Sequence, residues 1–296
     1  MEELDGCPVC GGGEGWLVSR HGRDFQGQAI QACAACGVFY QSPRPGAEEL
    51  SRYYRGEYSR RFRGREEPTG GDLEWRDRIA EYRFRYLRRS GLLAAGDSVL
   101  EIGCGAGNFL RLCRDAGLRA WGVEPSEGYS DHARKQGLEV ATGMFPEHHG
   151  GRERYRHVVL FHVLEHLPRP VETLRHCRGM LEDGGRVIVE VPDLSRALGP
   201  SFTERYFHYP HLIDFTAESL DGALARAGLR RLGRHYPPEG RRRHHLLVVA
   251  AAAQEGGEVP APAPATTEGL VRRVRRRVRL AVALRPLREA LRRVWR

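Results

Sequence analysis

The sequence predicts an α/β protein: a mostly parallel sheet between helices, preceded by a small cysteine-bound module. Three observations carry this. A buried-strand pattern at residues 98–102 runs through a glycine-rich turn directly into an apolar-periodic helix, which is the repeating unit of α/β sheets. Two Cys-x-x-Cys pairs, Cys7/Cys10 and Cys33/Cys36, stand 22 residues apart near the N-terminus. The length of 296 residues suits one large domain with a small module, or two domains.

The first element is the cysteine module, residues 1–45. Each second cysteine is followed by glycine (Cys10-Gly11, Cys36-Gly37), which permits the positive φ that closes a metal knuckle. Two such knuckles supply Cys7, Cys10, Cys33 and Cys36 as the four sulfurs of a closed tetrahedral zinc site. A closed site leaves no position for substrate, so this zinc is expected to be structural. Trp16-Leu-Val and Gln28-Ala-Ile read as short strands between the knuckles, forming a zinc ribbon. Cys104, Cys113 and Cys177 read as small buried residues.

Residues 46–95 form a connector with N-terminal helices. Pro43 and Pro45 make the chain extended and stiff at its start. Tyr53, Tyr54, Tyr58 and Phe62 follow among charges, and two readings stay open: a helix packed on the next domain, or the lining of a substrate cleft. Residues 72–90 carry Leu73, Ile79, Tyr82, Tyr86 and Leu87 near a 3.6-residue period, a helix closed by Gly91.

The segment Ser98-Val-Leu-Glu101-Ile-Gly103-Cys-Gly105-Ala-Gly107-Asn108 lets backbone approach a ligand at a helix N-terminus. An acidic residue, Glu124, ends the next strand 17 residues past Gly107, where a carboxylate can take both hydroxyls of a ribose. The glycine spacing differs from the GxGxxG of dinucleotide-binding proteins. Glu101, just before the turn, would repel a pyrophosphate but suits a ligand that carries an ammonium group.

These residues resemble motif I of class I S-adenosylmethionine-dependent methyltransferases. Gly-Val-Glu124-Pro125-Ser126 is similar to their post-I motif, and Val158-Val-Leu-Phe161-His162-Val-Leu-Glu165-His166 to their fourth strand and its turn. Leu181 to Pro192 resembles the fifth strand, and His211 to Leu220 the helix before the terminal strand pair. The cysteine knuckles followed by Pro43-Arg-Pro45 resemble the ribbon ahead of this domain in many bacterial glycan and secondary-metabolite methyltransferases. One departure is Tyr155-Arg156-His157, where relatives begin strand four with Phe-Asp.

The resemblance implies a Rossmann-like seven-stranded sheet over residues 96–252, order 3-2-1-4-5-7-6, with the last strand antiparallel. Its strands are expected at 98–102, 119–124, 138–141, 157–162, 186–191, 229–236 and 244–251. It implies S-adenosylmethionine as cofactor. Glu101, Gly103, Gly105, Gly107 and Asn108 are then expected at the amino-acid end and Glu124 with Pro125 at the ribose. Met144 or Phe145 is expected against adenine, with Phe161 and His162 beneath the sulfonium. Methyl transfer to a hydroxyl is helped by a general base, and His166, Glu165 and His211 are the candidates. Glu165 and His166 also read as a brace for the following turn. Some quinone O-methyltransferases and small-RNA methyltransferases carry a related motif that binds a divalent metal, which implies a second site at His162, Glu165, His166 and His211. The aromatic stretch with Tyr206, His208 and Tyr209 reads as an acceptor-stacking lid or as a loop packed on the sheet edge.

Residues 253–269 read as a flexible linker. Residues 270–296 hold 11 Arg and one Glu, a local charge of +10. Apolar residues recur there at helical spacing (Leu270, Val271, Val274, Val278, Ala281, Val282, Leu284, Leu287, Leu291, Val294, Trp295). This basic amphipathic tail reads as an anchor on an anionic membrane surface, a helix for a protein partner or its own domain, or a nucleic-acid arm. Taking its +10 from the chain's +9 leaves residues 1–269 at −1, so the high pI says nothing of the active site. The longest uncharged apolar run, Leu246 to Ala253, has eight residues against about 20 for a membrane span. The acidic start reads as no secretion signal, and the expected location is cytoplasmic, with peripheral membrane attachment through the tail. The acceptor is expected to be a small molecule or glycan, methylated on oxygen. An RNA methyltransferase and a non-catalytic cofactor-binding module stand as alternatives.

Overall fold

The computed structural model describes residues 1–57, 67–148, 154–237, 244–253 and 264–286. Tyr58, Phe62, Leu287, Leu291, Val294 and Trp295 lie outside these residues.

The ribbon is a meander of β1 (Gly15–Ser19), β2 (Ile30–Cys33) and β3 (Phe39–Gln41), each pair antiparallel. The second strand begins two residues later than expected, and β3 occupies the stretch before the prolines. After α1 (Ala47–Arg52) and one π-turn, α2 (Gly70–Arg89) leads into the large sheet. There β4 (Ser98–Ile102), α3 (Asn108–Asp115), β5 (Arg119–Glu124), α4 (Glu127–Lys135) and β6 (Glu139–Thr142) alternate. They are followed by β7 (Tyr155–Phe161), α5 (Pro170–Gly179) and β8 (Leu181–Pro192).

The short α6 (Leu194–Ala197), β9 (Ile213–Asp214) and α7 (Ala217–Arg226) precede β10 (Leu229–His235) and β11 (His245–Ala252). The seven-stranded sheet has the order β10-β11-β8-β7-β4-β5-β6, which is the expected 3-2-1-4-5-7-6 read from the β6 edge. β11 is antiparallel to both neighbours. β4 is buried at all five positions, as a central parallel strand covered on both faces requires.

Sequence reasoning missed β9. It pairs antiparallel with β3 (Phe39 opposite Asp214, Tyr40 opposite Ile213) and makes the ribbon a four-stranded sheet. The ribbon is thus sewn to the segment after β8 by backbone hydrogen bonds.

The start of the tail helix differs from its expectation too. α8 (Pro264–Ala283) begins inside the stretch read as linker, with proline at the position where its missing N–H costs nothing. Val271, Val274 and Val278 are buried together with Val18, Ile30, Phe39 and Phe207, and Ala281 is buried as well. Arg275 donates to the Leu17 carbonyl at 3.0 Å, and Arg285 pairs with Glu204 at 2.8 Å. The apolar face that an anchor would insert in a bilayer is, over these residues, packed on the chain itself. Arg272, Arg273, Arg276 and Arg279 point to solvent. Among the described residues no helix is long and apolar enough to cross a membrane.

Val274→Asp should lower unfolding free energy by roughly 3 kcal/mol or more, from lost burial plus a charge in an apolar seat. Urea unfolding measures this, and wild-type stability in the variant would refute the docked helix.

Candidate active site

The carboxyl ends of β4, β5 and β7 border a cavity of about 290 Å³, at the point where strand order reverses and α/β sheets bind ligands. Its wall includes Glu101, Gly103, Gly105, Asn108, Glu124, Pro125, Met144, Phe145, Phe161 and His162. Gly107 is absent from it. That residue has φ +79°, and a Cβ there would stand 2.4 Å from Leu138 Cδ1 and 3.1 Å from Ala133 Cβ. Gly107 therefore lets α3 close on its neighbours and shapes the loop from behind.

Two acidic side chains form the floor. Glu124 accepts from the amides of Gly105 (2.8 Å) and Ser126 (2.9 Å), which ties the end of β5 to the glycine turn. Glu101 is buried, and its Oε2 has no hydrogen-bond partner. Burial, with Glu124 nearby, pushes its carboxyl up to about 8 against the opposing pull of Arg83. A buried carboxylate oxygen left over beside a cavity is a ready seat for an ammonium group.

Sequence reasoning missed the roof. Trp75, Arg76, Ile79, Ala80 and Arg83 of α2 line the cavity, three to four residues apart on one helix face. The sequence predicts a helix over that stretch but assigns none of these residues to the cavity. Arg83 forks onto Glu190 of β8 at 2.8 and 3.0 Å and lies 4.4 Å from the Phe161 ring centre.

The three predicted catalytic residues Glu165, His166 and His211 come together, and His162 turns to a different group. His162 has φ +57°, a strained conformation for a residue with a Cβ, worth about 1–3 kcal/mol. Its Nδ1 lies 3.0 Å from Glu165 Oε1 and its Nε2 3.0 Å from Glu190 Oε1. Burial disfavours its charge, but the two carboxylates override this and push its pKa up to about 9. Burial works against Glu165 as well, yet His162 and His166 hold it below the usual carboxylate range.

His166 Nδ1 lies 2.8 Å from the Pro210 carbonyl and 2.9 Å from the Tyr54 hydroxyl. A carbonyl only accepts, so Nδ1 carries the proton and Nε2 the lone pair. Nε2 stands 4.0 Å from Glu165. Burial lowers the His166 pKa, so its imidazole is neutral near pH 7. The His211 ring sits 4.6 Å from that of His166 and 3.6 Å from that of His208. Burial, with His208 beside it, holds His211 well below the usual histidine range. Glu165, His166 and His211 present ligand atoms within 4.8 Å of one another, and His162 does so with Glu190 and His245 instead. Three of the four residues expected for a second metal thus converge, and Glu165 Oε2 is buried without a partner there. The fourth faces another group.

Both readings of the tyrosines apply. Tyr53 is buried and packs on Tyr209 at 5.3 Å, whereas Tyr54 lines the cavity. Tyr206, His208 and Tyr209 do not line it. Tyr209 donates to Glu49, and Phe202 and Phe207 sink into the cluster under α8. The stretch is a packed loop in this conformation.

The four ribbon sulfurs lie within 4.8 Å of one another, with Cys7–Cys36 and Cys10–Cys33 at 3.5 Å. Zinc–sulfur bonds near 2.3 Å set tetrahedral edges of about 3.8 Å, so the cluster fits zinc. Thiols of Cys36 and Cys7 donating to Cys33 hold it down, and Cys7 is pushed up to about 12.

A sequence profile of the methyltransferase domain matches residues 74–232. The chain belongs to the methyltransferase-domain family. A C-methyltransferase of Streptomyces niveus, NovU, is 31% identical over 148 residues, covering 48% of this chain and 35% of its own. A ubiquinone biosynthesis O-methyltransferase of Nitrosospira multiformis is 29% identical over 122 residues, covering 37% and 48%. The chain thus spans half or less of the length of these relatives. Among solved structures, a Burkholderia thailandensis 1,6-didemethyltoxoflavin-N1-methyltransferase with S-adenosylhomocysteine bound superposes with TM-score 0.56 at 17% identity, over 80% of this chain and all of its own. Magnesium protoporphyrin IX methyltransferase of Synechocystis gives 0.52 at 15% identity, over 70% and 100%. These likenesses concern the fold.

Gly107→Ala should destabilise the protein by about 1–2 kcal/mol through its left-handed backbone alone, with more from the Leu138 contact. Thermal unfolding at matched pH checks this, and an unchanged midpoint would contradict the packing role.

Proposed function

We propose that the chain transfers a methyl group from S-adenosylmethionine to an oxygen of a small molecule or glycan. The observation that carries this reading is the cavity at the strand ends, with the partnerless carboxylate oxygen of Glu101 on its floor. In this reading Glu101 takes the ammonium group and the glycine turn the amino-acid end. Glu124 takes the ribose hydroxyls, and Met144 and Phe145 flank the adenine. Bound there, S-adenosylmethionine supplies an electrophilic methyl on a sulfonium.

The chain's own residues do the rest. His166 Nε2 carries a lone pair, is neutral near pH 7, and belongs to a residue of the cavity wall. It accepts the acceptor hydroxyl proton as the new oxygen–carbon bond forms and the carbon–sulfur bond breaks. Glu165 then faces the imidazolium, and Tyr54 with the Pro210 carbonyl keeps the ring in place. An ion at Glu165, His166 and His211 would polarise an acceptor oxygen, but it would engage the nitrogen that this proton transfer uses. The four ribbon cysteines hold structural zinc in this reading.

Two measurements test it. Calorimetry with S-adenosylhomocysteine should show affinity rising with pH through about 8, because the ligand's ammonium group favours the ionised Glu101 that the empty site keeps protonated below that value. Glu101→Gln should bind at least ten-fold more weakly and lose this slope. A pH-independent affinity in the wild type would sink the assignment. His166→Ala should lower kcat by roughly 10²–10⁴ with cofactor affinity unchanged. The wild-type acid limb should lie below about 6.5, since a lowered pKa keeps the base unprotonated down to lower pH.

A further inference from the structure

His162 Nε2, Glu190 Oε1 and His245 Nδ1 converge on one point from β7, β8 and β11. Their separations are 3.0 Å (His162–Glu190), 3.1 Å (His162–His245) and 3.4 Å (His245–Glu190). Ligands about 2.1 Å from a shared ion lie roughly 3.0 Å apart at right angles and 3.4 Å apart in a tetrahedron. All three distances fall within that span.

The surroundings are those of a ligand set. The far nitrogen of His162, Nδ1, donates to Glu165 Oε1 at 3.0 Å, the carboxylate brace that metal-bound imidazoles habitually carry. Arg83 forks onto Glu190, Nε donating to Oε2 at 2.8 Å and Nη2 to Oε1 at 3.0 Å, which fixes the carboxylate with Oε1 at the shared point. The left-handed backbone of His162 aims its ring there. Both histidines line the cavity, so an ion would have one side toward the protein and one toward the ligand space.

We infer that His162, Glu190 and His245 form a binding site for a divalent first-row transition metal, a two-histidine, one-carboxylate set open toward the cavity. Two imidazoles and one carboxylate suit Fe²⁺, Co²⁺ or Zn²⁺ and disfavour Mg²⁺. The open positions would hold one acceptor oxygen, a hydroxyl or a carbonyl. This role rests on the methyl-transfer reading, whereas the site itself does not. Glu190 and His245 escape any local motif because the strand order alone brings them to His162.

Co²⁺ is the probe. The full-length chain, carrying zinc in its cysteine cluster, is dialysed against Co²⁺ with metal analysis and visible absorption. The site predicts one bound Co²⁺ with weak d–d bands and no sulfur-to-cobalt charge-transfer band, while zinc stays at one equivalent. His245→Ala and the isosteric Glu190→Gln should each weaken this Co²⁺ at least ten-fold, with retained zinc and a sharp thermal transition as folding controls. His211→Ala should leave it unchanged. No bound Co²⁺ in the wild type would overturn the site, as would equal binding in His245→Ala or loss in His211→Ala alone. S-adenosylhomocysteine affinity in the same samples reports the cofactor reading separately.

Discussion

Glu190 lies near the end of β8, in the stretch 187–192 whose other side chains are apolar and buried, and it is itself 4% exposed. A carboxylate at that depth must find cations or stay neutral. Burial opposes its charge, but Arg83, His162 and His245 hold it well below the usual carboxylate range. Much of the site follows from this one requirement. Arg83 can reach Glu190 only if α2 lies across the strand ends, so the ion pair seats the roof of the cavity. His162 can reach it only with a backbone that turns left at the end of β7. Glu165 then receives the other imidazole nitrogen and stands ready for His166.

The cofactor cradle was legible because it is local. Glu101, the glycine turn and Glu124 lie within 24 consecutive residues, and each residue type follows from what the backbone must do there. The sheet order was legible only through resemblance, since periodicity gives strands and not their neighbours. The Arg83–Glu190–His162–His245 network was not legible, because 162 residues separate its ends and strands β7, β8 and β11 must first lie side by side. A signal did exist: Val187-Ile-Val-Glu190-Val-Pro places one acid within an apolar strand.

The tail teaches the same lesson from the other direction. Its period of apolar residues correctly marked a buried face, but periodicity does not name what covers it. The covering surface is built from β1, β2 and β3 together with Phe202 and Phe207, a surface that exists only once the ribbon has formed. Likewise nothing in Ile213-Asp214 announces a strand. Two residues become one because β3 offers an open edge beside them.

The ribbon draws on both ends of the chain. Its fourth strand comes from residues 213–214, and its first strand is bonded to Arg275 across 258 positions. A ribosome making this protein releases the cysteine knuckles well before residues 213–214 and 271–278, which cover the edge and the apolar face of their sheet. Pairings this distant in sequence are slow to close. Until those residues arrive, the knuckles stand beside a small, half-finished sheet with one open edge.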